Sequence, residues 1–208
     1  MNSLKSLTLR LLLTAGMAVV TFNSYSQNDP LANESITVNG IKWATCNMNM
    51  PGVFAANPED VGMLYQWNRN VAYPATGNVI DWDRTIPKGV AWEKENDPCP
   101  AGWRMPARND FEKLLDPDMV NSELTAVNAI EGRMFTDKET GSSVFFPATG
   151  YRESNNRVLR TGDGFYWSST QYDNDSAYNL GFATGGTKWT GCYNNARELG
   201  FSIRCVAE

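Results

Sequence analysis

Asp97-Pro98-Cys99-Pro100-Ala101-Gly102-Trp103-Arg104-Met105-Pro106 is the stretch that fixes how the rest of this sequence folds. Three prolines, a glycine, a cysteine and a tryptophan so close together exclude regular helix or strand. Each proline fixes its own φ and pushes the residue before it toward extended geometry, so the segment is stiff and irregular. Directly after it, Phe111, Leu114 and Leu115 share one face at i, i+3, i+4 spacing, which predicts a short helix over residues 108–115. Its start is weakly capped, because Ala107 stands where Ser or Thr would, with Asp110 three residues on. Cys99 and Trp103 thus pin the start of the helix to whatever lies opposite.

On both sides the chain carries strand signals. Asn39-Gly40, between two β-prone runs, supplies the positive φ angles of a type I′ turn, so residues 36–43 form a hairpin. Residues 132–136 and 142–146 flank a longer turn at 137–141. Residues 165–169, 177–183, 187–192 and 201–206 are further strand candidates, with a tight turn at 184–187. Residues 121–128 read as a second helical turn. The fold class expected is α+β, one loop-rich domain with short helices packed on antiparallel strands. From 68 to 97 no periodicity holds, although Tyr73, Trp82 and Trp92 are spread through it. Irregular runs of that length inside a compact domain tend to carry function.

The N-terminus sets the expected compartment. Lys5 and Arg10 precede an apolar run over 11–22, and Ser24-Tyr25-Ser26 follows, which reads as a secretory signal cut after Ser26. The apolar run is shorter than the roughly 20 residues of a membrane-spanning helix. Residues 1–26 are then the signal peptide, 27–35 a loose mature N-terminus and 36–208 the domain. Cleavage removes two positive charges and no acid from a chain of net charge −5, leaving 182 residues of net charge −7. An acidic chain without a basic run argues against nucleic acid or an anionic membrane as partner. Cys46, Cys99, Cys192 and Cys205 are an even set and read as two disulfides, for which sequence alone leaves three pairings open. A zinc site is opposed by the lack of any Cys-x-x-Cys pair and of any histidine.

The missing histidine also removes the commonest general base and the usual catalytic triads. Ser168-Ser169-Thr170 offers hydroxyls, but no activating partner stands at a known spacing. Binding chemistry is better represented. Asp81 and Asp83 flank Trp82, and Glu93, Glu95 and Asp97 follow Trp92. Such acids accept sugar hydroxyls while a neighbouring indole stacks on the ring face; without a ligand they are ordinary solvated loop acids. The ligand-binding candidates are Trp67, Trp82, Trp92, Asp81, Asp83 and Trp189, whereas Trp43, Trp103 and Trp167 are assigned to packing. Tyr172-Asp173-Asn174-Asp175-Ser176 is a dense oxygen cluster, and Asp173, Asn174 and Asp175 are the metal candidates. Calcium would be the ion, a solvated turn is the competing account, and no cofactor is the expectation.

Cys99-Pro100-Ala101-Gly102-Trp103-Arg104-Met105-Pro106, Tyr166-Trp167-Ser168-Ser169-Thr170 and Gly200-Phe201-Ser202-Ile203-Arg204-Cys205-Val206 occur in that order. Together they resemble the Fibrobacter succinogenes major paralogous domain, an exported bacterial family related to C-type-lectin-like folds. The resemblance runs from about Ile36 to the C-terminus. It implies a single C-type-lectin-like domain with a disulfide from the helix start to the last strand, Cys99–Cys205, which leaves Cys46 with Cys192. The Glu-Pro-Asn and Gln-Pro-Asp tripeptides that bind calcium and sugar in true C-type lectins are absent from the chain. The function expected is a non-catalytic binding or adhesion module for a glycan or surface protein at the cell envelope. Its place would be the periplasm, the outer-membrane surface or the cell exterior. Alternatives on the same architecture are an enzyme, hydrolysing glycans with paired carboxylates or acting as an oxidase, and a structural part of a surface appendage.

Overall fold

The computed structural model describes residues 35–153, 157–185 and 190–208, and among these the regular structure is mostly β, joined by long irregular stretches. The Asn39-Gly40 signal holds. β1 (Ser35–Val38) and β2 (Ile41–Ala44) pair antiparallel with Val38 opposite Ile41, and the two turn residues have φ of +44° and +72°. Then follow β3 (Met63–Gln66), β4 (Tyr73–Pro74), a 3-10 turn (Lys94–Asn96), β5 (Trp103–Arg104) and the helix α1 (Arg108–Leu114). β6 (Val120–Val127), β7 (Ile130–Asp137) and β8 (Ser143–Pro147) form one sheet in that order. β9 (Tyr151–Arg152) and β10 (Val158–Leu159) precede the sheet β11 (Asp163–Gln171), β12 (Ser176–Ala183) and β13 (Thr190–Ala196). β14 (Gly200–Phe201) and β15 (Val206–Ala207) complete two further sheets, of order β10-β9-β14-β3-β4 and β1-β2-β15-β5.

This architecture overturns the α+β, C-type-lectin-like expectation: among the described residues, many strands in four sheets accompany one α-helix of 7 residues. Residues 121–128 are not a helical turn. Residues 121–127 belong to β6, paired along its whole length with β7 from Val120↔Asp137 to Val127↔Ile130, and Asn128 opens the turn. The turn between them is Asn128-Ala129, with φ of +48° and +67°. Alanine in left-handed geometry carries none of the usual Asn-Gly signal, so the hairpin is set by its partner strand and not by local propensity.

The stretch from Asp97 to Pro106 behaves as a clasp. The Asp97 carboxylate accepts from the backbone N–H of Cys99 (2.9 Å) and of Met105 (3.1 Å), closing the proline-rich loop on itself. Burial raises the Asp97 carboxyl above its ordinary range, and these two hydrogen bonds pull the other way. Trp103 is buried edge-on against Phe54 at 5.3 Å, and β5 pairs with β15. The uncapped helix start is repaired from afar. Asp110 accepts from Ala107 N–H at 2.8 Å, and Thr170 Oγ1 on β11 accepts from Arg108 N–H at 3.1 Å. The buried face of α1 sets Phe111 5.4 Å from Trp43, in stacked geometry.

Alternation along β11 divides the core. Tyr166 joins Val38, Trp43, Phe111, Phe146, Leu180 and Phe182, while Phe165 and Trp167 join Tyr65, Trp67, Trp92, Trp103, Phe201 and Ile203. The C-terminal strand expected over 201–206 is instead split. β14 pairs with β3 and β9, Ser202 bridges in parallel to Tyr166, and β15 lies between β2 and β5. Between them Ile203 and Cys205 carbonyls accept from Met48 and Ala44 N–H, both at 2.9 Å. One short segment therefore stitches three sheets together.

Cys99 and Cys205 are disulfide-bonded, with Cα atoms 6.0 Å apart. The second pairing is corrected: Cys46 and Cys192 are free thiols, each half-buried. They occupy different surroundings, Cys46 in the segment after β2 next to Arg204, Cys192 on β13 beside Arg108 and Glu112 of α1. Burial, aided by the Glu112 charge, pushes the Cys192 thiol up to about 11. Denatured, unreduced protein is expected to titrate two free thiols, and a count of zero would refute this pairing. In native protein near about pH 8, Cys192 should alkylate far more slowly than glutathione, because the thiolate is the nucleophile. The Cys99→Ser/Cys205→Ser variant should lose roughly 2–5 kcal/mol in urea unfolding.

Candidate functional site

The irregular run between β3 and α1 has few ladder partners, so its backbone carbonyls must be satisfied by other donors. Arg197, just past β13 and 1% exposed, supplies many of them. Its guanidinium donates to the carbonyls of Gly89 (2.9 Å), Pro87 (3.3 Å), Ser176 (3.3 Å) and Asp173, and to Gln171 Oε1 (3.0 Å). The same plane lies 4.2 Å over the Trp67 ring. The 68–97 loop and the 172–176 turn, far apart in sequence, thus meet at one buried cation. Clefts of about 390 and 500 Å³ lie on either side of the Ile86-Pro87-Lys88 ridge, with Asp175 lining the first and Arg69 and Glu93 the second.

Within this region the tryptophans expected to stack on ligand are core residues, which corrects their assignment. Trp67 is 0%, Trp82 8% and Trp92 8% exposed. Trp67 Nε1 donates to the Ser168 carbonyl and Trp92 Nε1 to that of Asn96, and the two rings meet edge-on at 5.9 Å. Trp82 packs 4.6 Å from Tyr73 and covers Gly200, where a Cβ would come within 2.7 Å of the indole. These indoles anchor the loop from beneath. Asp81 is exposed, and Asp83 is engaged locally, accepting from Thr85 N–H and Oγ1 (both 2.8 Å) and pairing with Arg69 at 2.8 Å. The Thr85 N–H foremost holds the Asp83 carboxyl below its ordinary range. Trp189 lies outside the described residues.

The acidic turn is closed on itself as well. Asp173 Oδ1 accepts from the N–H groups of Asp175 (2.9 Å) and Ser176 (2.7 Å), and the Asp175 N–H foremost holds its carboxyl low. Asn174 and Asp175 point into solvent-exposed space. Among the described residues no group of three or more His, Cys, Asp or Glu is arranged to hold a metal ion.

A third cleft, of about 440 Å³, was not singled out by the sequence. It is lined by Tyr151, Arg160, Phe165, Tyr193, Asn194 and Asn195. Its shape follows from register. Trp167, Asn179 and Tyr193 form one cross-strand row, while Phe165 is followed in its row by Gly181 and Gly191, which present no side chain. A trough therefore opens beside the Tyr193 ring. Asn195 Nδ2 donates to the Oδ1 of buried Asn179 at 2.8 Å, fixing its amide. Tyr151 stands edge-on to Phe165 at 5.0 Å. Arg160, with φ of +50°, sits at the rim, its Nη1 3.4 Å from Asp163 Oδ2. The legible signal was Gly191-Cys192-Tyr193-Asn194-Asn195, where two small residues precede three hydrogen-bonding ones. Tyr151 and Arg160 join it only through topology. Ring faces beside amides can hold a flat, many-hydroxylated ligand, each amide acting as both donor and acceptor.

Fold and cleft together define a small, disulfide-stapled β domain with an aromatic, amide-lined trough. The model of the Fibrobacter succinogenes major domain matches residues 20–207, and the chain belongs to that family. No curated protein and no solved structure matches the chain. Among the described residues no helix is long and apolar enough to cross a membrane.

Replacing Arg197 by Gln should lower stability by about 2 kcal/mol or more, because several buried carbonyls lose a charged donor. Hydrogen exchange should quicken over 86–90 and 171–176 while the β6–β7 hairpin is unchanged. Equal protection in both segments would refute the role given to Arg197.

Proposed function

We propose that this protein is an exported, non-catalytic module that binds glycan at the cell envelope, in the periplasm, on the outer-membrane surface or outside the cell. The observation that carries this reading is the trough of Tyr151, Phe165 and Tyr193 beside Asn194 and Asn195. The exposed Tyr193 ring presents an apolar face to the C–H face of a sugar, and carboxamides address its hydroxyls from the side. Glycoside hydrolysis needs two carboxyl groups flanking the scissile bond, and none of the six lining residues is an acid. That composition favours binding over turnover. The Cys99–Cys205 disulfide is in keeping with an oxidising compartment.

The test is a glycan array probed with oxidised protein lacking residues 1–26, in calcium and then in chelator. Binding should persist in chelator. Tyr193→Ala should weaken it by about tenfold, equivalent to about 1.4 kcal/mol, with the folded state checked by circular dichroism. Prolonged incubation should release no new reducing ends. Binding lost in chelator, or present on no glycan, would overturn this reading.

A further inference from the structure

The clefts beside Arg197 mix charges of both signs, with Lys88 and Asp175 in one and Arg69 and Glu93 in the other. The tyrosine–asparagine trough differs: its one charged lining residue is Arg160, a cation, in a chain of net charge −5. The Arg160 side chain is 58% exposed and touches Asp163 through a single nitrogen at 3.4 Å. A guanidinium has five N–H donors in a planar fork, so this one long contact leaves it able to take a second oxyanion. An ion pair with a single long contact and one exposed partner is readily exchanged for a better one. The root of the arm is fixed all the same. Arg160 has left-handed backbone geometry, uncommon for a long side chain, and its carbonyl accepts from Asp163 N–H at 2.9 Å. Its carbonyl also lies against Gly150, where a Cβ would come within 3.2 Å of it. The backbone thus holds an exposed cationic head at the rim of a neutral, ring-walled trough.

We propose that the trough selects an acidic saccharide, a hexuronate whose carboxylate pairs with Arg160 while its ring lies on Tyr193 and its hydroxyls meet Asn194 and Asn195. This rests on the glycan-binding reading and adds to it the class of sugar. Binding exchanges the Arg160–Asp163 contact for a two-pronged guanidinium–carboxylate pair. A neutral sugar gains the stacking and amide contacts alone.

Calorimetry with tetragalacturonate, its carboxyl-reduced counterpart and a sulfated neutral tetrasaccharide tests this on the oxidised protein. Tetragalacturonate should bind about tenfold or more tighter than the reduced form, the usual scale for a charge-assisted pair, and the preference should shrink at high salt. Arg160→Gln should abolish the preference, because the acid loses far more affinity than the reduced sugar does. Arg160→Lys should restore part of it, and Asp163→Asn should enlarge it by freeing the guanidinium. Tyr193→Ala should weaken both sugars alike. Equal affinity for the acid and its reduced form would overturn acid selection while the glycan reading stands. Tighter binding of the sulfated sugar would overturn the carboxylate assignment. Binding of none of the three would overturn both readings.

Discussion

Buried guanidinium groups that collect backbone carbonyls are the constraint on which this structure depends. Arg152, Arg197 and Arg204 are each essentially inaccessible to solvent. Arg152 donates to the carbonyls of Pro74, Thr76 and Gly77, from 2.6 to 3.0 Å. Arg204 donates to Asn47 Oδ1 at 2.8 Å and to the carbonyls of Ala44 and Thr45, and lies 4.8 Å over the Phe146 ring. Burial pulls the Arg204 guanidinium below its ordinary range, yet an arginine starts so high that it stays charged. Each cation stands at a place where the chain leaves regular pairing. In a domain whose strands are often two residues long, the planar fork does for loops what a ladder does for sheets.

The parts of this fold that were legible in the sequence are those decided by local chemistry. Asn39-Gly40 can do little but turn, and the Phe111, Leu114 spacing can do little but form a helix face. The stiff Cys99–Trp103 stretch was visible as a clasp, and the family pattern carried the Cys99–Cys205 bond. Non-local choices were hidden. Residues 121–127 became a strand because β7 lies alongside, and the C-terminal strand broke in two because three sheets compete for its backbone. The helix expectation failed where the sequence offered no contrary local signal.

The same division governs the site. Trp67, Trp82 and Trp92 stand in an irregular stretch, which made them look available, but irregular backbone is where a large ring is most needed as an anchor. Asp81 and Asp83 sit outside because Trp82 sits inside. The trough became visible only when register set Gly181 and Gly191 beside Phe165 and the fold brought Tyr151 from another sheet and Arg160 from the loop after β10. No spacing along the chain encodes that meeting. The arginines were hidden for a related reason, since a guanidinium in sequence looks like surface.

The stitching segment has a consequence for how the chain is made. Residues 200–207 supply β14, β15, the Ser202 bridge and Cys205, a cysteine 106 residues after its partner. A growing polypeptide that stops short of Gly200 lacks the pieces that join three sheets, however complete its hairpins. Contacts of such long sequence separation form slowly and late. Local hairpins such as β1–β2 and β6–β7 can form early, whereas global closure waits for residues 200–207. Joining the three sheets thus depends on residues 200–207, although each local hairpin can form without them.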